Sequence, residues 1–534
     1  MGLAGAGALW TLSACGGGDD GDGSGEGGSS TPITVWGGEP QNPLIPTNTN
    51  ETGGGKILDC VFAGLVAYEA DGTPVNDVAE SIESPDATTY TIKLKADQKF
   101  SDGSPVTADS FVKAWNYGAL STNAQLSSYF FEPIEGYDAV SAETPTAQEL
   151  SGLVVVDETT FTVKLNAPEG DFPLRLGYSA YYPLPESAFE DIAAFGENPV
   201  GNGPYKLEAE GAWRHNEGIN LVVNDQYAGP RKPVNAGVNI VFYADLDTAY
   251  SALQSGELDV LDQVPDSALT TFTSDLGDRA VNQPSAVFQG FVIPTALAGF
   301  TGEAGQLRRQ AIAYAINRAD ICKVVFNDTR TPAKDYSSPV VPYWTEDVPG
   351  NEVCTYDADK AKELWAQAEA IEPYTGTFTI AYNTDGGHAT WVDAVTAGLR
   401  QTLGMNAEGK PYATFAQLRS DITGGTINGA FRSGWQADYP SMYNFLASTF
   451  ATGGGSNDGK YSNPQYDALL AQASANTDAE AAVATLVQAQ TILMTDLPSI
   501  PLWYSNAAGG YADTVSDVKF GWNSVPIYET ITKA

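Results

Sequence analysis

A chain of 534 residues is too long to close around one apolar core, because single cores stop growing at about 250–300 residues. Two or three lobes are therefore expected. The hydrophobic content of 43 %, with 10 Trp, 26 Tyr and 21 Phe, is enough to fill them. Past the N-terminus no apolar run reaches the length of about 18 residues that a spanning helix needs. Lys and Arg total 27 against 66 Asp and Glu, a net charge of −39. That excludes nucleic acid or an anionic membrane surface as the main binding target. The cysteines are Cys15, Cys60, Cys322 and Cys354, without a Cys-x-x-Cys, and the histidines are His215 and His388. A zinc site needs three or four clustered ligands, so no metal is expected, and no motif asks for a cofactor. Cys322 and Cys354 are candidates for a disulfide in an oxidising compartment, although linear spacing cannot supply the geometry.

The chain opens with a small apolar segment ending Leu12-Ser13-Ala14-Cys15-Gly16. It resembles a bacterial lipoprotein signal, which implies cleavage before Cys15, acylation of its thiol and a membrane lipid anchor. Residues 16–30 are rich in Gly, Asp and Ser and read as a flexible tether. The Gly-x-Gly-x-x-Gly matches there follow no strand and are compositional. Ile33-Thr34-Val35-Trp36 reads as a strand that opens the folded part. Lys56 to Tyr68 reads as an apolar helix. Thr89–Leu94 and Thr160–Leu165 both alternate apolar and polar residues and read as paired strands of one small lobe. Between them, Asp102-Gly103-Ser104-Pro105 is a turn, Thr107 a helix cap, and Phe111 and Trp115 share a helix face. Leu307 to Arg318 and Asp357 to Ala370 are predicted helices, the second capped by Asp357 or Asp359. Gly454 to Lys460 approaches a phosphate-binding loop, but Tyr461 replaces the hydroxyl residue that magnesium requires, so no nucleotide site is expected.

Phe431 to Pro440 reads Phe-Arg-Ser-Gly-Trp-Gln-Ala-Asp-Tyr-Pro. These are the parts needed to hold a zwitterionic peptide. Asp438 suits an α-ammonium, Arg432 an α-carboxylate through two parallel hydrogen bonds, and Trp435 a rigid apolar wall. In an extended backbone, positions 432 and 438 would share a face with Trp435 on the other. Six residues span roughly 20 Å, so the charges could bracket a short ligand. The competing reading is a surface ion pair beside a core tryptophan.

Gly434–Pro440 followed by Asn444-Phe445-Leu446, the Lys99–Phe111 stretch, the corner Asn198–Tyr205 and Tyr382-Asn383-Thr384 leading to His388 occur in one order. That order resembles the oligopeptide-binding receptors of peptide/nickel-type ABC importers. The resemblance implies an α/β, periplasmic-binding-protein-like fold of the large three-lobed class II type, two jaws around a cleft with a small extra lobe. Lobe I would comprise 31–56, 200–288 and 505–534, lobe II 57–199, and lobe III 289–504, with the tail from Val515 packed on lobe I. It also implies that Glu39, Tyr129, Trp435 and Tyr504 line the cleft, that Asp438 holds a peptide ammonium, and that Arg432 or His388 meets its carboxylate.

The function expected is a monomeric, extracytoplasmic, lipid-anchored receptor that passes oligopeptides to an ABC permease, with no nucleic-acid partner. One alternative keeps the receptor and changes the cargo to an oligosaccharide, nickel chelate or other solute. The other is an enzyme, yet neither Gly-x-Ser-x-Gly nor His-Glu-x-x-His occurs, and nothing singles out a carboxylate pair for acid–base work.

Overall fold

The computed structural model describes residues 31–533 apart from 244, 385 and 386. Cys15 and the tether therefore lie outside the described residues. The local signals between residues 99 and 119 form as their chemistry requires. Asp102 Oδ1 accepts from the Ser104 amide at 2.8 Å and closes the turn. The helix Ala108–Ala119 starts after Thr107, whose amide bonds to Ser110 Oγ at 3.1 Å. Phe111 and Trp115 are both buried and meet edge-to-face. The two alternating strands pair antiparallel, Tyr90 opposite Val163 and Ile92 opposite Phe161, inside a four-stranded sheet.

Other helices differ from expectation at their ends. The first runs Thr52–Val61, because Glu51 caps it by accepting from the Gly54 amide. The segment expected to run through Arg318 is split into Gly302–Tyr314 and Arg318–Phe326. Asn317 caps the second piece, and the Arg318 guanidinium turns back onto the carbonyls of Ala313 and Ile316. Ala358–Ile371 starts after Asp357, which accepts from two amides.

Among the described residues the largest sheet has twelve strands. At one end it runs Asn406–Tyr412, Thr377–Asn383 and Ala430–Gln436; at the other, Val260–Leu261, Ile33–Gly37, Gly237–Phe242, Gly218–Val223 and Tyr205–Leu207. Two strands of 13 residues, Ala280–Val292 and Ser499–Tyr511, lie antiparallel between these ends and belong to both. Their register is broken between Pro284 and Phe288, so the sheet changes direction there. Such bulges bend a strand and raise its local twist.

The apolar cores divide at the same place. One unites Ile33, Val35 and Ile240 with Trp115 and Phe161 of the small sheet and with Phe520, Tyr528 and Ile531 of the tail. The small sheet thus has its own strands but shares a core with the end of the large sheet beside it. The other core gathers residues from Ala286 to Tyr504, with Trp522. The corner at 201–203 explains its glycines: a Cβ on Gly201 would lie 2.0 Å from the Val61 carbonyl. Between them, Asn202 bonds to both the amide and the carbonyl of Ala63.

Cys322 and Cys354 are not joined: both are free, buried thiols. Burial pushes them up, to about 12 and about 11 respectively, with the Arg318 guanidinium offsetting part of each shift. The spacing that suggested a bond carried no information on Sγ position.

Candidate functional site

The strand Ala430–Gln436 pairs antiparallel with Ala280–Val292, Val287 facing Gln436. It therefore ends beside the register break, where the Ala437 amide donates to the Ala286 carbonyl at 2.9 Å. Asp438 follows directly and emerges at the seam between the two cores. It lines a cavity of about 400 Å³ together with Gln436, Ala437 and Trp522, and most of the remaining wall comes from the first core's side. The helix Thr52–Val61 contributes Lys56 and Asp59, the small-sheet region Tyr129, Tyr178 and Tyr182, and the tail Trp522 and Glu529.

Asn444, in the first turn of Met442–Phe450, organises this end of the segment. Its Oδ1 accepts from Trp435 Nε1 at 2.8 Å and from the Asp438 amide at 3.2 Å. Its Nδ2 donates to Asp438 Oδ2 at 3.0 Å. One carboxylate oxygen is thereby held. Burial pushes the carboxyl of Asp438 above its ordinary range, and Asn444 and Arg175 offset part of that shift. Across the gap, Tyr129 is 51 % exposed. Its hydroxyl is pushed up to about 12 by burial and by the Asp438 charge.

The remaining expected site residues are dispersed. Arg432 Nε donates to Asn383 Oδ1 at 2.8 Å, and the guanidinium lies 4.5 Å over the Phe415 ring. His388 precedes the helix Ala389–Leu403, and its Nδ1 accepts from Trp391 Nε1 at 3.1 Å. Both belong to the second core's side, and neither lines the cavity at Asp438. Trp435 is half-buried, with its indole N–H spent on Asn444. The face alternation expected from 432 to 438 stops because the strand ends at Gln436.

Two expectations need correction. Tyr504 does not line the cleft: it is 1 % exposed. Its hydroxyl accepts from the amides of Lys334 and Asp335 and donates to Asp335 Oδ1 at 2.9 Å. Glu39 does not line this cavity either. Its carboxylate is taken by His215 Nδ1 and the Asn216 amide, both at 2.8 Å. His215 Nε2 meets Glu197 at 3.0 Å, and Glu39 and Glu197 together raise the imidazole's pKa.

Sequence reading missed Asp59, Tyr178 and Glu529. Asp59 had a signal, a lone acid in an apolar helix. Tyr178 and Glu529 had none, because only folding brings them to the seam.

Two bodies joined by two long strands, with a carboxylate at the mouth of the gap between them, define a solute receptor of the periplasmic-binding-protein fold. The family model "Bacterial extracellular solute-binding proteins, family 5 Middle" matches residues 73–457, and the chain belongs to that family of extracytoplasmic binding proteins, which are not enzymes. It is 28 % identical over 94 % of its length to the oligopeptide-binding protein OppA of Bacillus subtilis, covering 92 % of that protein. It is 30 % identical over 83 % of its length to the periplasmic oligopeptide-binding protein OppA of Salmonella typhimurium, covering 81 % of it. In three dimensions it resembles the murein tripeptide-binding protein MppA in its unliganded open form. The TM-score is 0.83 at 22 % identity, over 95 % of this chain and 97 % of that one. Among the described residues no helix is long and apolar enough to cross a membrane.

Proposed function

We propose that this protein captures oligopeptides outside the cytoplasm and delivers them to an ABC transporter permease, held at the outer face of the membrane by a lipid on Cys15. The observation that carries the reading is Asp438, a half-buried carboxylate with one oxygen on Asn444, lining a cavity opposite Tyr129 and Tyr178. A peptide ammonium supplies the missing positive charge, and a charge-assisted bond there is stronger than a neutral one. The peptide main chain would then run along the Ala430–Gln436 strand toward Arg432 and His388, adding a strand in the β-augmentation mode. Relatives that carry the name oligopeptide-binding protein support this reading.

The lobe boundaries follow from the same reading, with hinge crossings at 284–288 and 504–506 beside the register break. Because lobes I and II share one apolar core, they move as one body against lobe III, and ligand binding favours the closed arrangement. The test is calorimetric titration with Ala-Ala-Ala and its N-acetylated form. Acetylation removes the charge that Asp438 receives, so the acetylated peptide should bind far more weakly. Equal affinity for the two forms would remove the ammonium from the recognition scheme.

A second reading, a non-peptide solute, is favoured by the aromatic walls of the cavity, Tyr68, Tyr129, Tyr182 and Trp522, and by 26 % identity to the probable deoxycholate-binding periplasmic protein YgiS of Escherichia coli. Stabilisation against heat by such solutes, and by no peptide, would establish it.

A further inference from the structure

Around the cavity at Asp438 the cations are already neutralised and the anions are not. Lys56 Nζ pairs with Asp262 and sits 4.5 Å from the centre of the Trp36 ring. Arg231 Nε pairs with Asp77 at 3.0 Å, and its other nitrogens donate to the carbonyls of Asp59 and Phe62. Asp77 and Asp262 are not part of the cavity wall, so both positive charges are cancelled from behind it.

The carboxylates that line the same space have no such partner. Among the described residues Asp59, Asp438 and Glu529 form no ion pair at all. Asp59 receives one hydrogen bond, from Tyr182 Oη at 2.8 Å. Burial pushes the carboxyls of Asp59 and Glu529 up, and Arg231 only partly offsets this. Asp59 and Glu529 line one cavity, and the Asp59 charge adds to the rise at Glu529. Tyr178, raised mainly by burial, lines the same cavity and feels both Asp438 and Asp59. Tyr528 is 3 % exposed, lines the cavity, and carries a hydroxyl with no hydrogen-bond partner among the described residues.

A recess whose like charges are only partly compensated focuses a negative potential, and a buried carboxylate is costly until a cation pairs with it. Aromatic walls add a cation–π contribution. Asp438 is one anchor; Asp59 of the Thr52–Val61 helix and Glu529 of the tail, which line the same cavity from the other body, form a second. We infer that the recess selects peptides bearing a basic side chain near their amino end, with Asp59 and Glu529 receiving that side chain while Asp438 holds the α-ammonium. This rests on the peptide-receptor reading above and narrows its cargo to cationic peptides.

Calorimetric titration of the full chain with Ala-Ala-Ala, Lys-Ala-Ala, Ala-Lys-Ala and Ala-Glu-Ala at near-neutral pH tests it. At least one lysine peptide should bind about tenfold tighter than Ala-Ala-Ala, with Ala-Glu-Ala weakest. The lysine advantage should shrink as salt is added. In Glu529→Gln, which keeps the side chain's shape, the ratio of the two dissociation constants should fall toward one, and Glu529→Asp should restore part of it. Equal affinity for the neutral and lysine peptides, or an unchanged ratio in Glu529→Gln, overturns the cation preference and leaves the peptide-receptor reading standing. If none of the four peptides binds, both fall together.

Discussion

The two ends of the segment 432–438 carry opposite charges, and the fold treats them differently. Asp438 sits at the seam, where the Ala437 amide is bonded to the bulged crossing strand and the opposite wall belongs to the other body. Arg432 lies within one body, bonded to Asn383 and stacked on Phe415. The anionic end is thus a contact point between bodies, and the cationic end is part of a single wall. An ammonium group can be received at the seam with little rearrangement. In the proposed scheme the peptide's carboxylate reaches the second wall, at a point set by the peptide's length.

The largest effect expected from this difference is at Asp438. Asp438→Ala removes the charge that holds the ligand's α-ammonium in this scheme. Truncating one partner of a desolvated charge pair costs about 2–5 kcal/mol, so affinity for a short peptide should fall roughly 30-fold to several thousandfold. Calorimetry reads it directly, and unchanged affinity would make the two ends equivalent and the comparison empty.

A control inside the same body comes next. Tyr504→Phe leaves the amides of Lys334 and Asp335 without their acceptor. An unmet buried donor costs about 1–3 kcal/mol, so thermal unfolding should move down by several degrees. Asp335 keeps bonds from Ser337 and Trp344, which limits the damage. Peptide affinity should stay within about twofold, since Tyr504 is buried and does not line the cavity at Asp438. A large affinity loss without a stability loss would return Tyr504 to the cleft.

Arg432→Ala should cost less than Asp438→Ala, up to about tenfold, because its guanidinium is only half-buried and a solvated ion pair contributes little. The loss should appear with free C-terminal carboxylates and vanish with amidated peptides. If amidated peptides lose as much, Arg432 is holding the wall together through Asn383 rather than meeting the ligand.

What was legible in the sequence was local. The Asp102–Gly103 turn, the Thr107 start and the Phe111/Trp115 face are fixed by residues within a few positions of one another, and all three formed. The surroundings of Asp438 are local as well, because Trp435, Asp438 and Asn444 lie within a short stretch and are bonded to one another; its role as ammonium anchor remains the proposal. Tyr504 was misread because its partner Asp335 is 169 residues away. Glu39 was misread because His215 claims it from a distance of 176. Asp59, Tyr178 and Glu529 come from three separate stretches, and no spacing rule joins them. The broken helix at 315–317 was missed because periodicity runs through the break while the Arg318 guanidinium, bonding backward and to the Cys354 carbonyl, stops it.

The smallest effect sharpens the comparison from the far side of the seam, where the bodies touch without ligand. Ser441 Oγ donates to Asp171 Oδ2 at 2.7 Å, and Arg175 lies 5.0 Å from the centre of the Tyr439 ring. Burial, then the neighbouring Glu169 charge, push the Asp171 carboxyl up to about 6, although Arg175 and Ser441 offset part of it. Its other oxygen, Oδ1, has no partner. The folded protein therefore holds a proton here that the unfolded chain releases near the ordinary aspartate range. The stabilisation is complete below that range and is lost as pH rises through about 6. Asp171→Asn keeps the shape and cannot ionise, so the difference in melting temperature between variant and wild type should grow in favour of the variant between mildly acidic and neutral pH, then level off. A pH-independent difference between the two proteins would mean that Asp171 is already ionised in the folded protein.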